Sequence, residues 1–274
     1  MRNALLIDLG GTNIRYASFI ENTLSEISKE KIADKDFISF LAKLLETEKN
    51  EIDCLVIAAA GPNNQSSINL TNRDLLIDAS ELKTKLNLKE CLLLNDWEAV
   101  AQSLSEINQE SFLPIKNGAP SNENTILIGP GTGLGVTLII NSQIIPTEFG
   151  NTYSPTKGML ENFDLRDNEK FFSLENILSG PGIEKLYEEK FERKLSSEKI
   201  ISFALDGSKD EIFIVENFLK TLVSMINDLV LSFSCEKVIL GGSILNTLKP
   251  ILMTEKILNY FLSEINPKYS PLIE

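Results

Sequence analysis

The sequence predicts an α/β fold containing a repeated strand–turn–strand unit, and three observations carry that prediction. Ala4–Phe19 reads ALLIDLGGTNIRYASF: an apolar run reaching Asp8, a glycine turn, then the alternating run Ile14–Phe19. Thr125–Ile140, TILIGPGTGLGVTLII, repeats that layout, with Gly10 falling on Gly131 and Thr12 on Gly133. Elsewhere, short apolar runs alternate with stretches of helical spacing, the pattern of strands and helices in one layered fold. The Gly129-x-Gly131-x-Gly133-x-Gly135 run is not a dinucleotide fingerprint, which needs a helix after its glycines. Here Val136–Ile140 is apolar and largely β-branched, a second strand. Either turn alone reads as an ordinary hairpin. Two of them suggest a duplicated domain with one phosphate chain between two loops, because successive N–H groups in such turns form an anion-binding concavity. Asp8 adds a hard oxygen ligand of the kind Mg²⁺ prefers.

The remaining elements follow in order. Lys35–Glu48 carries Phe37, Phe40, Leu41, Leu44 and Leu45 at helical spacing and predicts a packing helix. Ile52–Ala60 reads as a buried strand that ends at Gly61-Pro62, with Asn63-Asn64 as a turn. A polar loop, Ser66–Asp74, holds Asn69, Thr71 and Asn72, and Ser80 is expected to cap a short helix. Glu90–Leu94 is a second buried strand, stopping at Asn95-Asp96, and Trp97–Leu104 reads as a helix on Trp97, Val100, Ala101 and Leu104. Asp96 therefore stands at a strand's carboxyl end and opens a helix, which is where ligands bind in open α/β sheets. The same position suits an N-cap. The two roles are compatible, since a cap holds its carboxylate rigidly. The polar stretch Ile107–Asn124, with Pro114, Gly118 and Pro120, marks a boundary between domains 1–106 and 107–274.

In the second half, Pro146–Asn151 and Tyr153–Pro155 form a polar loop. Ser173–Leu178 runs into Ser179-Gly180-Pro181-Gly182, after which Ile183–Phe191 resumes as helix. Ile212, Val215, Leu219, Leu222, Ile226, Leu229 and Phe233 predict a long amphipathic helix, for core packing or for a homodimer. Glu236–Leu240 is the last strand, followed by Gly241-Gly242-Ser243 and a helix to about Glu264.

Composition excludes several classes of function. With 26 basic and 39 acidic residues the net charge is −13, which argues against a nucleic-acid or anionic-membrane partner. No stretch has the flanks of a signal peptide or the length of a membrane span. Cys54, Cys91 and Cys235 lie far apart without metal-ligand spacing, so buried free thiols in a reducing cytoplasm are expected. The count of 0 histidines excludes Ser-His-Asp and Cys-His catalysis and HExxH zinc sites. Any general base is therefore Asp, Glu, Lys, Tyr or Cys.

Assembled in order, these motifs resemble the bacterial glucokinase family of the sugar-kinase/actin/Hsp70 superfamily. Asp8-Leu9-Gly10-Gly11-Thr12-Asn13-Ile14-Arg15 is similar to its first phosphate motif, and Gly129–Gly135 to its second. Leu70-Thr71-Asn72 resembles the sugar-side loop, and Leu94-Asn95-Asp96 the catalytic Asn-Asp. Leu178–Gly182 follows a sugar-binding Glu in that family, which gives Glu175 that role, and Leu240–Ser243 resembles the glycine pair near the adenosine. The resemblance implies two RNase H-like (actin-like ATPase) domains with a central cleft, and phosphorylation of a hexose 6-hydroxyl, glucose above all, by ATP with Mg²⁺. Asp96 is implied as the base, and Asn95, Glu148, Asn151 and Glu175 as sugar ligands. Gly10, Gly11, Thr12, Asn13, Gly131, Thr132, Gly133, Gly241 and Gly242 are implied around the nucleotide, with Asp8 toward the metal.

There are two departures from the family. Its sugar loop reads Glu-Gly-Gly-His, where this chain has Glu148-Phe149-Gly150-Asn151, which leaves a kinase of another sugar or amino sugar open. Family members also continue with a further strand and a terminal helix beyond the point that matches Glu274. That implies altered hinge behaviour and nucleotide affinity, and keeps a non-catalytic sugar-binding regulator as an alternative. Arg15 is expected to pair its charge within the first domain, and Lys157 and Arg73 to be solvated.

Overall fold

A computed structural model describes the chain apart from residues 1–2, 11–12, 32–36, 48–51, 62–63, 65, 71–74, 117, 119, 121, 154–155 and 273–274. Two compact units emerge, Met1–Ser105 and Glu106–Glu274, and each has its own apolar core.

In the first unit, β1 (Ala4–Leu9) and β2 (Ile14–Ile20) pair antiparallel without a break, from Ala4 opposite Phe19 to Leu9 opposite Ile14. The short strands β3 (Thr23–Leu24) and β4 (Ser28–Glu30) both pair with β2. Helix α1 (Phe37–Thr47) buries Phe37 and Leu41. Strand β5 (Cys54–Ala59) lies parallel to β1, while β6 (Ser67–Asn69) and β7 (Leu76–Asp78) form a separate ribbon. Helix α2 (Ala79–Lys85) leads to β8 (Glu90–Asn95), parallel to β5, and then to α3 (Asp96–Ser103). The sheet order is β3-β2-β1-β5-β8, with β4 also on β2. Leu9, Ala59 and Asn95 fall in one row, so the three parallel strands end together. The core beneath them includes Leu5, Ile7, Leu55, Ile57, Phe37 and Leu41.

Two helix starts differ from expectation. Asp78, not Ser80, caps α2: its extended backbone lets Oδ1 accept the Glu81 N–H at 2.8 Å, and Ser80 falls inside the first turn. For α3 the cap is Asn95 rather than Asp96, as described with the site below.

The second unit begins the same way. β9 (Thr125–Pro130), β10 (Leu134–Ile140) and β11 (Gln143–Pro146) form an antiparallel meander. After α4 (Thr156–Glu161), α5 (Gly180–Phe191), α6 (Ser197–Leu205) and α7 (Lys209–Phe233), strand β12 (Lys237–Leu240) joins parallel to β9. The order is β11-β10-β9-β12. Every residue of β9 is buried. The chain then forms α8 (Ser243–Leu252) and α9 (Glu255–Ser263), two helices where one was expected. The break falls at Met253, whose N–H closes on Lys249, and at Thr254, whose backbone is extended.

Helix α7 buries Ile214, Phe218, Leu222, Ile226 and Leu229 and packs against α5, α6 and α9. Its apolar stripe is therefore mostly core within the unit, with Phe233 at its end exposed. Helix α5 starts three residues earlier than expected. Ser179 caps it, its Oγ accepting the Gly182 N–H at 3.0 Å, and Pro181 lies in the first turn, where its missing N–H costs nothing. Among the described residues no helix is long and apolar enough to cross a membrane.

One buried polar pair is a site of measurable stability. The Tyr187 hydroxyl donates to Glu211 Oε1 at 2.6 Å, with Tyr187 fully buried and Glu211 7% exposed. Burial, reinforced by that hydrogen bond and the Glu211 charge, pushes the phenol up to about 12. Tyr187→Phe leaves the carboxylate without this donor and is expected to cost ~1.5–3 kcal/mol. The ordinary phenol ionises at 10.0, so between there and about 12 the folded state holds the extra proton. Stability is thus fully present below 10 and declines as pH rises through that window. Urea unfolding on both sides of the window should show the decline in the parent and its loss in the variant.

Candidate functional site

In the first unit the predicted residues gather where β1 and β8 end. Asp8 is the next-to-last residue of β1 and faces Arg15 across the β1–β2 ladder. The Arg15 Nη1 donates to Asp8 Oδ2 at 2.6 Å, the pairing expected for Arg15. Both side chains are about half exposed, at 50% and 48%, so the ion pair contributes little to stability. What it does is hold the carboxylate in one place. The turn that follows closes with the Gly10 N–H on the Asn13 carbonyl at 3.0 Å. Gly11 and Thr12 lie outside the described residues, as do Thr71, Asn72 and Arg73.

At the end of β8, Asn95 is 7% exposed and caps α3. Its Oδ1 accepts the N–H groups of Trp97 at 2.9 Å and Glu98 at 3.3 Å, and Glu98 Oε2 accepts the Asn95 N–H at 3.2 Å. This is a capping box, and it satisfies three backbone donors at the helix entrance. Asp96 is consequently the first helical residue. Its carboxylate also receives the Trp97 N–H, at 2.9 Å, and it is partly exposed. A carboxylate at that position is favoured by the positive end of the helix. The Asn95-x-x-Glu98 spacing was available in the sequence as the sign that position 95 is the cap.

In the second unit the structure brings together Gly131, Gly133, Glu175, Gly241 and Gly242, and sets Glu148 and Asn151 against the start of β10. The Gly131 N–H donates to the Gly133 carbonyl at 2.8 Å, closing a turn one residue shorter than that of the first hairpin. Around Gly131 a Cβ would meet nothing, so a ligand can approach the backbone there. Thr132, at the tip, is exposed. The Gly180 N–H, at the entrance of α5, donates to the Gly131 carbonyl at 2.8 Å. Gly241 donates to Ile128 at 2.9 Å, and Gly242 takes φ 98, a backbone that side chains rarely adopt. A Cβ on Gly242 would also come within 2.9 Å of the Pro130 carbonyl oxygen.

Glu148 is exposed, and its Oε2 accepts from Asn151 Nδ2 at 3.1 Å. The short turn Phe149–Asn151 is pinned by Thr147, whose hydroxyl donates to the Val136 carbonyl at 2.6 Å. Glu175, on the turn Leu174–Asn176, reaches the phosphate-loop candidate itself: Oε2 accepts the Leu134 N–H at 3.0 Å. The Lys157 side chain lies outside the described ones.

These positions bear on two expectations. The N–H groups of Gly10 and Gly131 are spent inside their own turns, so any phosphate donors in these loops come from the other positions. The Asn95 side-chain oxygen accepts two N–H groups at the helix entrance, which fixes the chain where Asp96 begins α3. Among the described residues no group of three His, Cys, Asp or Glu could hold a metal ion. The donor set fits an ion that arrives with its own ligands: Mg²⁺ commonly takes one or two carboxylates and completes its shell with phosphate oxygens and water. Asp8 could supply one such carboxylate, whose Oδ2 Arg15 holds.

Comparison with known proteins adds the family. A "Glucokinase-like protein" of Xylella fastidiosa is 28% identical over 95% of this chain and 85% of its own. A "Glucokinase" of Pseudomonas paraeruginosa is 30% identical over 74% of this chain, and the match spans 60% of that relative. The crystal structure of glucokinase from Balamuthia mandrillaris in complex with glucose has the same fold, with a TM-score of 0.76 at 20% identity, covering 100% of this chain and 87% of that one. The fold is thus that of the sugar kinases with actin-like ATPase architecture. The glucokinase family model matches residues 5–271, nearly the whole sequence, and the chain belongs to the glucokinase family.

Proposed function

We propose that the protein transfers the terminal phosphoryl group of ATP to the 6-hydroxyl of a hexose, with glucose as the foremost substrate, in the cytoplasm. The observation that carries this reading is the capping box at Asn95, which fixes Asp96 at the mouth of a helix where β8 ends. Family membership and the glucose complex of the Balamuthia enzyme support the substrate class.

In this reading Asp96 orients the sugar hydroxyl and takes its proton as attack proceeds. Glu148 and Glu175 accept from other hydroxyls of the ring. Asn151, in place of the family's histidine, holds Glu148 through its amide instead of contacting sugar first. Buried or ordered polar groups built for hydroxyls reject substrates that lack them. Thr132 and Gly133, with Gly11, Thr12 and Asn13, would cradle phosphates, Gly241-Gly242 would lie toward the nucleoside, and Asp8 would hold Mg²⁺. MgATP supplies the phosphoryl group together with neutralisation of its charge. The protein's own contribution is then positioning.

Coupled ATP turnover across a panel of hexoses and amino sugars tests the reading. Glucose should turn over with formation of its 6-phosphate, and the absence of turnover with every sugar would overturn it. Asn151 favours one variation, a preference for a different hexose or amino sugar, which would appear as a change in ranking on the same panel. Asn151→Ala should raise KM for the sugar about tenfold, the worth of one hydrogen bond, with little change in kcat. An unchanged KM would remove Asn151 as the residue that orients Glu148.

A further inference from the structure

We infer that the Glu175 carboxylate serves as a stand-in anion on the second phosphate loop, so that hexose and nucleotide binding are coupled through this one side chain. The inference rests on the kinase reading above and deepens it.

The geometry is specific. Glu175 Oε2 accepts the Leu134 N–H at 3.0 Å, just past the tip of the Gly131–Gly133 turn. A Cβ on Gly133 would stand 2.3 Å from the same oxygen and 3.0 Å from the carboxyl carbon. The carboxylate therefore fills the space that a side chain at 133 would need. Glycine at that position is explained by Glu175 itself, and not only by room for a phosphate. The turn that carries Glu175 is tied on both sides: the Leu174 N–H reaches the Thr152 carbonyl at 3.4 Å, beside the Glu148–Asn151 loop. A few residues on, Gly180 donates to Gly131 at 2.8 Å. One short segment thus touches both the proposed sugar loop and the proposed phosphate loop.

A turn of backbone N–H groups attracts anions. In this structure the anion on the turn is the protein's own carboxylate. It occupies a donor that a phosphate oxygen would use, and its charge opposes the arrival of a polyphosphate. Sugar hydroxyls are donors, and Glu175 is among the groups assigned to receive them. When a hexose engages the carboxylate, its hold on Leu134 weakens and its charge is shared with the hydroxyls. The loop is then open to phosphate. Nucleotide affinity is low until sugar is bound, so ATP is not presented to water in an empty site. Linkage requires the effect to be reciprocal: nucleotide must tighten hexose by the same factor.

The test is calorimetric titration of the protein with a non-hydrolysable ATP analogue and Mg²⁺, without and with a saturating amount of the hexose that turns over fastest. In the parent, hexose should tighten the analogue by roughly 5–150-fold. Glu175→Gln keeps the shape and removes the charge. It should raise sugar-free analogue affinity about tenfold while weakening hexose, a gain that a merely structural residue would not produce. Sugar-free affinity that is unchanged or lower in Glu175→Gln overturns the inference. A parent protein that binds hexose and analogue independently of each other also overturns it and leaves the kinase reading standing. A parent that binds neither brings down the kinase reading, and this inference with it.

Discussion

Replacing Asp96 with Asn is expected to lower kcat by roughly 10²–10⁴, equivalent to ~2.7–5.5 kcal/mol of transition-state stabilisation, while leaving hexose binding and thermal stability close to the parent. Two jobs adjoin in the sequence here, helix capping and proton acceptance. The helix entrance is held by Asn95 and Glu98, whose capping box is complete without Asp96. Asn at 96 preserves the hydrogen bond from Trp97 and the shape of the side chain, so α3 should melt as before. It cannot accept the hydroxyl proton at neutral pH. Turnover, calorimetric hexose binding and a thermal melt on the same preparation distinguish the outcomes. Undiminished turnover would remove Asp96 as the base. A parent protein that binds hexose but never turns over would identify the chain as a sugar-binding regulator of this fold.

Phe218→Ala is expected to cost ~3–5 kcal/mol, a large share of the roughly 5–15 kcal/mol that holds a typical protein folded. Phe218 is fully buried in the core of the second unit, on the helix that packs against α5, α6 and α9. Truncation leaves a void lined by rigid neighbours, and close-packed interiors collapse only partly around such a void. The loss reaches the site through α5, whose first N–H is bonded to Gly131. Far-UV circular dichroism during urea unfolding is the right probe. The single tryptophan, Trp97, lies in the first unit and does not report on this core. A cost below about 1 kcal/mol would mean that the apolar stripe of α7 is not the keystone of this unit.

The longer strands were the most legible part of the fold, whereas the short β3, β4, β6, β7 and β11 were not read. Runs such as Ile126–Ile128 and Leu55–Ile57 are apolar at successive positions; the structure buries all of the first, and Leu55 and Ile57 of the second. The long helix α7 was readable from its spacing for the same reason. Helix starts were harder to read, because residues that break a helix internally are tolerated or favoured at its entrance. Gly180-Pro181-Gly182 reads as an interruption, yet Ser179 caps it and the three residues form the first turn of α5. Asp78 and Ser80 are both good caps, and the backbone entering from β7 decides for Asp78. At the site, residue identities came from motifs, but their working partners did not. The contact between Glu175 and Leu134 joins residues far apart in sequence, and nothing local announces it. The capping role of Asn95 was announced, by Glu98 three residues on, and the attraction of Asp96 as a cap obscured it.

The parallel pairing of β12 with β9 has a consequence for biosynthesis. Thr125 aligns with Lys237 and Ile128 with Leu240, so helices α4 to α7 are made between the two partners. During translation the β9–β11 meander leaves the ribosome with one flank of β9 unpaired, and that strand is buried along its whole length in the finished fold. An apolar edge of this kind is a template for other chains. Non-local pairings close late because their loop entropy must be met first. The interval before Lys237–Leu240 emerges and docks is therefore when the nascent chain most needs a chaperone, and variants that slow the α5–α7 core will be lost to aggregation before they are lost to unfolding.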